Sequence, residues 1–310
     1  MHPWNESILD AFRQRMERLP HALLIHGARG TGKLALAERI AQLLLCESPA
    51  RKPCGSCEGC RWFAAGSHPD FRRIEPESLM KEPVADEDAP EKERKTKPSI
   101  VIKVEQVREL TDFLNLRSHR GGRRVTIIHP AEDMYLPNAA NALLKALEEP
   151  PGSAMFILVS HRPARLLPTI RSRCVALAVP IPPQADAQRW LESQGVKDAQ
   201  RWLAYAGGAP LRAAEYAAHA DTLDRLLKHP TPVDDRDELQ QLAEAVQKRA
   251  FDSVLASFGL PPKYRTGGKK GDPRAWLAFA REMGENRALS SHPVSPRLFS
   301  VAFLTHLESL

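Results

Sequence analysis

The chain has 310 residues, of which 43% are hydrophobic and 26% charged, and it carries a net charge of +6 at pH 7. That length is more than one ordinary core needs, so two or three domains are expected, and the mild positive charge permits a polyanionic partner without requiring one. The longest apolar runs, such as Ala154 to Val159, are too short to span a bilayer, and Met1 to Trp4 has no signal-peptide pattern; a cytoplasmic protein with no membrane partner is expected.

The first informative stretch in chain order is HALLIHGARGTGKLALAERI, residues 21–40. A short apolar strand, Leu23 to His26, enters a glycine-rich turn that carries Gly27, Gly30, Gly32 and Lys33 at phosphate-loop spacing, and an alanine- and leucine-rich helix follows. Backbone N–H groups at that helix start, together with Lys33, suit a phosphate. Position 34 is Leu, where a working loop supplies a Ser or Thr hydroxyl to magnesium. ATP or ADP binding through the loop and Lys33 therefore stays open, and so does a purely structural loop that joins helix to sheet.

Next come Cys46, Cys54, Cys57 and Cys60, in CESPARKPCGSCEGC, with Cys46 expected at the end of the helix after the loop. Two C-x2-C steps sharing Cys57 turn sulfurs toward one point, and stable disulfides are disfavoured in the cytosol. Structural zinc held by four thiolates fits best, with no open position for water; an iron–sulfur cluster and unliganded thiols are the alternatives. A nucleic-acid-binding zinc ribbon would need basic and aromatic residues near the cysteines, and only Arg51, Lys52, Arg61, Trp62 and Phe63 are available.

A strand is expected at Phe71 to Ile74, then a charged, proline-containing insertion, residues 75–98, that should be mobile and without a core. The strand Arg124 to His129 is the one that should end in a magnesium-holding acid, but it runs into His129 and Pro130. Glu132 and Asp133 lie a few residues beyond, where acids at a helix start are commonplace. Leu34, His129 and Pro130 together argue against ATP hydrolysis at this site.

A helix with Ala139, Leu143 and Leu147 on one face precedes a strand at Met155 to Ser160, and a helix-capable run then leads to Ser172-Arg173-Cys174 and a strand at Val175 to Val179. The guanidinium of Arg173, at a domain edge, suits the γ-phosphate of a neighbour's ATP; a surface or interdomain salt bridge is the other reading. After the linker Pro180-Ile181-Pro182-Pro183 the chain reads as helix upon helix. The basic loop Lys263 to Gly271 can touch a phosphate backbone, though a solvated connection is the better reading. The fold class expected is α/β plus all-α.

PNAANALLKALEEPPGSAMFILVS (137–160) and LLPTIRSRC (166–174) resemble the delta-prime family of bacterial DNA polymerase III clamp-loader subunits, within the AAA+ superfamily. The run Asn141 to Pro150 and the Ser172-Arg173-Cys174 motif are shared with the paralogous tau/gamma subunits and the replication factor C small subunits, and the four-cysteine module is similar too. The likeness is strong over 21–180 and beyond that extends only to the general plan. It implies an AAA+ P-loop domain (1–180) with a zinc module (46–60), a helical lid (181–220) and a helical collar for oligomerisation (221–310). It further implies a non-hydrolysing subunit of a DNA-directed DNA polymerase holoenzyme, in a five-membered ring with delta and tau/gamma subunits that sets a sliding clamp on primer–template DNA. Arg173 would be an arginine finger acting in trans. Some relatives lack the loop lysine, so the presence of Lys33 is a departure that leaves nucleotide binding open. The competing expectations are an ATP-hydrolysing tau/gamma-type subunit and a free-standing AAA+ ATPase.

Overall fold

The computed structural model describes residues 1–16, 19–49, 52–80, 98–116, 118–119, 122–289 and 295–310. It divides into two compact units, Met1–Ile181 and Pro182–Leu310.

In the first unit, β1 (Ala22–His26), β2 (Phe71–Ile74), β3 (Arg124–Ile128), β4 (Ala154–Ser160) and β5 (Val175–Ala178) form a parallel sheet in the order β2-β3-β4-β1-β5 among the described residues. Each strand matches its expected position to within a residue. The inner strands are near-continuous apolar runs because helices cover both faces. On one face Leu24, Ile128, Phe156 and Leu158 join a core with α4 (Val104–Asn115) and α5 (Asn138–Glu148). Their sequence neighbours Leu23, Ile25, Ile127, Ile157 and Val159 point the other way, into a core with α1 (Glu6–Arg13) and α2 (Lys33–Leu45). β1 lies between β4 and β5, so the glycine loop that follows it sits at the sheet's C-terminal edge, the place where open parallel sheets bind ligands.

Most of the expected insertion, residues 81–97, lies outside the described residues. Its flanks are joined to each other: Ser99 N–H donates to Glu77 Oε2 at 2.9 Å, Ser78 N–H donates to the Ser99 carbonyl, and Lys103 pairs with Glu77 at 2.5 Å.

The second unit is helical. Its first cluster gathers Leu191, Trp202, Leu203 and Tyr216 from α7 (Gln184–Ser193), α8 (Ala199–Tyr205) and α9 (Pro210–Ala218). Its second gathers Leu242, Trp276, Phe279 and Phe303 from α11 (Arg236–Ser257), α12 (Pro273–Leu289) and α13 (Pro296–Glu308). Between them α10 (Ala220–Lys228) gives Leu223 to the first and Leu226 to the second. Among the described residues no helix is long and apolar enough to cross a membrane.

A polar network ties the two clusters together. Glu244 on α11 accepts from Tyr216 Oη at 2.7 Å and pairs with Arg212 at 2.9 Å, Lys248 at 3.1 Å and Arg287 at 3.1 Å. The Lys248 ammonium lies 3.7 Å from the Tyr205 ring centroid. Burial pushes the Glu244 carboxyl up, but Lys248, Arg212 and Arg287 outweigh it and bring it down to about 2. Burial lowers Lys248 to about 8 despite Glu244; the carboxylate, with three cations around it, sets the acid response. Because its pKa is depressed on folding from an ordinary 4.5, its contribution to stability is full above about 4.5 and is lost as pH falls toward about 2. Glu244→Gln leaves the buried Lys248 and the largely buried Arg212 uncompensated and should cost about 3–5 kcal/mol at pH 7. Denaturant unfolding at pH 7 and through the acid range tests this; a variant as stable as wild type at pH 7, with the same acid profile, would show the network to be energetically silent.

Candidate functional site

The glycine loop is built as the sequence pattern requires, but it is turned in on itself. Gly32, at the N-cap of α2, has φ +80°, a left-handed backbone that side-chain-bearing residues rarely adopt, and an added Cβ would sit 2.5 Å from the His2 ring. Thr31 is fully buried and Lys33 is 2% exposed. The Lys33 ammonium donates to the Ala28 carbonyl of its own loop at 2.6 Å. Burial lowers it to about 8, with Glu132 acting in the opposite direction, so it remains mostly charged at neutral pH. Leu34 packs against the core shared by α1 and α2, which gives the hydroxyl-bearing position an apolar role.

The N-terminal segment covers this loop, and no local sequence signal announces it. Trp4 Nε1 donates to the Thr31 carbonyl at 3.0 Å, and the buried Asn5 amide donates to the carbonyls of Thr31 at 3.1 Å and Gly32 at 3.3 Å. These contacts consume carbonyl groups and leave the loop N–H groups to other partners.

At the expected metal end, β3 stops at Ile128 and His129 follows. Burial lowers His129 to about 4 and the neighbouring His161 to about 3, so both imidazoles are neutral at pH 7. Their rings meet edge to face at 5.3 Å, and the Nδ1 of each is buried without a hydrogen-bond partner. Glu132 is turned inward: Oε1 accepts from the N–H groups of His161 at 2.9 Å and Arg162 at 3.0 Å, while Oε2 is buried and unpartnered. One acid thus approaches the loop, half engaged in holding the end of β4. Burial raises Asp133, which lies 3.7 Å from Arg162.

The four cysteines converge. Their sulfurs lie within 4.8 Å of one another, a group that can hold a metal ion. Cys46–Cys57 and Cys54–Cys60 are 3.9 and 4.0 Å apart. A tetrahedron of thiolates at 2.3 Å from zinc has an edge of about 3.8 Å, so the set needs little adjustment. Cys46 caps the C-terminus of α2, and Cys57 caps α3 (Glu58–Ala64). N–H groups point at sulfur: Cys54 N to Cys46, Cys57 N to Cys54 and Cys60 N to Cys57, at 3.3–3.4 Å. The N–H donors from Cys57 and Ser56 lower Cys54 to about 5, whereas burial pushes Cys60 up to about 12. A central cation would favour both sulfurs as thiolates.

Arg173 follows the short helix α6 (Pro168–Ser172) as its C-cap. The guanidinium is half exposed, donates to the Thr169 carbonyl at 3.0 Å and pairs with Glu148 at the end of α5 at 2.6 Å. Glu148 belongs to the NALLKALEEP run but has no recognisable role in the sequence alone. The structure therefore places the loop, the cysteines and Arg173 in one unit, with the cysteine set attached to the loop through α2.

The parallel sheet, the glycine loop after β1 and the helical unit that follows define a protein of the P-loop α/β class. Residues 4–182 match the family described as DNA polymerase III, delta subunit. The DNA polymerase III subunit delta' of Pseudomonas aeruginosa is 38% identical over 83% of this chain and 69% of its own length. The delta' subunit of Escherichia coli is 39% identical over 56% of this chain and 46% of its own length, and the tau subunit of Salmonella typhimurium is 34% identical over 51% and 21%. The chain belongs to the family of DNA polymerase III delta' subunits. It spans about two thirds of the length of the Pseudomonas relative and about half that of the Escherichia coli relative.

Proposed function

We propose that this chain is a clamp-loader subunit that hydrolyses no ATP of its own and supplies Arg173 to the ATP of a neighbouring subunit. Its partners in this reading are delta and tau/gamma subunits in a cytoplasmic ring that loads a sliding clamp onto primer–template DNA. The observation that carries the reading is the combination of delta' membership with a glycine loop whose lysine is held on Ala28 and whose hydroxyl position is a packed Leu34. Residues 181–220 would be the lid and 221–310 the collar. Gly27, Gly30, Gly32 and Lys33 would bind nucleotide without turnover. Cys46, Cys54, Cys57 and Cys60 would hold one structural zinc, which fixes the end of α2 and leaves no coordination position for a substrate.

The test is ATP hydrolysis by the isolated chain with primed DNA, repeated in the reconstituted complex. The isolated chain should show no rate above that of its Lys33→Ala variant, because magnesium needs its protein ligands together and Leu34 and His129 supply none. Steady hydrolysis by the wild-type chain that disappears in Lys33→Ala would instead favour a tau/gamma-type ATPase.

A further inference from the structure

The loop between α11 and α12 carries Lys263, Arg265, Lys269 and Lys270, all exposed. It is a fixed platform. The buried Asp252 carboxylate accepts from the N–H groups of Lys263 at 2.8 Å, Tyr264 at 2.9 Å and Thr266 at 2.9 Å, and from the Thr266 hydroxyl at 2.8 Å. Ser253 Oγ accepts from Lys269 N–H at 2.9 Å, and Ser257 Oγ from Gly271 N–H at 3.1 Å. At Gly268 the loop lies so close to α11 that a Cβ would fall 2.5 Å from Asp252 and Ser253 backbone atoms. The nearby acid is thus spent inward on backbone N–H groups, and the four cationic heads face solvent from an ordered backbone.

Aromatic rings adjoin the cations. Phe251, 40% exposed, meets Tyr264 edge to face at 5.8 Å, and the Lys263 ammonium lies 5.5 and 5.2 Å from their centroids. Phe258, 65% exposed, stands two turns further along α11 on the same face. Cations that track a backbone beside exposed rings on which bases stack are the combination that binds single-stranded nucleic acid without sequence preference. An acidic protein would use the cations but would gain less from the rings. Because the loop is already ordered, binding avoids most of the entropy cost of arranging it.

We infer that the 263–271 loop, with Phe251, is a binding surface for single-stranded DNA. It belongs to the second unit, whereas the glycine loop and Arg173 belong to the first, and it does not depend on the clamp-loader reading.

Binding of a fluorescein-labelled oligothymidylate to the full chain, followed by anisotropy, tests it. Four phosphate contacts predict a log–log salt slope of up to about −2.8, which weakens binding about 50-fold between 50 and 200 mM salt. Replacing Lys263, Arg265, Lys269 and Lys270 together by Gln should bring the slope close to zero. Phe251→Ala should weaken binding about 5- to 100-fold while leaving the slope unchanged, since stacking is not ionic. These side chains are exposed, and circular dichroism of both variants should match wild type. The assignment is overturned if the four-Gln variant binds with wild-type affinity and slope. It is equally overturned if Phe251→Ala is silent while duplex DNA binds more tightly than the single strand, or if polyglutamate of matched charge competes as well as the oligonucleotide.

Discussion

On the proposed trans role of Arg173, a clamp-loader complex assembled with Arg173→Ala is expected to lose hydrolysis at the neighbouring ATP site it would serve, by about 10³- to 10⁵-fold at that site. The loss arises because a guanidinium placed against a transferring phosphoryl group stabilises charge that develops only in the transition state. Other sites in the ring keep their own cations, so total ATP turnover and clamp loading should fall by much less. The fold should survive the substitution. Arg173 and Glu148 form a half-exposed pair at 2.6 Å, and pairs of that kind contribute about 0–1 kcal/mol. Glu148 and the Thr169 carbonyl hold two of the guanidinium nitrogens, and in the proposed role the fork would leave them to reach a neighbour's phosphate. Arg173→Lys should restore little, because an ammonium cannot reproduce the planar fork. Single-turnover hydrolysis and clamp loading by the reconstituted complex are the measurements. Wild-type rates with Arg173→Ala would return Arg173 to a salt-bridge residue on Glu148.

Features whose chemistry is local in sequence were legible there. The inner strands β1, β3 and β4 are short, mostly apolar runs buried on both faces, and the glycine loop and the cysteine spacing each sit within one stretch of chain. What the sequence concealed depends on distant partners. Trp4 and Asn5 meet Thr31 and Gly32 only because α1 packs on the core beside α2. Glu132 read as an ordinary acid at a helix start, and its inward turn depends on N–H groups of His161 and Arg162 from the end of β4. Glu244, Arg212, Lys248 and Arg287 look like solvated helix charges until α9, α11 and α12 bring them together. The basic loop 263–271 read as a solvated connection; its cations are indeed exposed, but its backbone is held by Asp252, which lies a turn before the end of a preceding helix.

Removing the zinc proposed for the cysteine cluster is expected to unfold one part of the first unit and spare the rest. Zinc at a four-thiolate site of this kind contributes about 10–16 kcal/mol in isolated zinc-finger peptides, comparable with the whole stability of an ordinary domain. Here that energy acts on a short segment. Among the described residues of 46–64 few join the core: Cys46 and Cys60 are buried, and Phe63 packs at the margin of the core. The helix α2 is held independently by Leu36, Ile40 and Leu43, all fully buried beneath the sheet. Replacing Cys57 and Cys60 together by Ser should therefore abolish the metal, expose the segment from Cys46 to about Ala65 and fray the last turn of α2, while the sheet keeps its protection. Metal analysis should find one zinc per chain in the wild type and none in the variant, and hydrogen exchange should accelerate over α3 and its approach. Visible absorption with iron in place of zinc would assign the site to an iron–sulfur cluster. Metal-free wild-type protein with the same exchange pattern as the zinc-loaded protein would mean that the four thiols need no ion, and that the N–H groups of Cys54, Cys57 and Cys60 suffice to hold the turn.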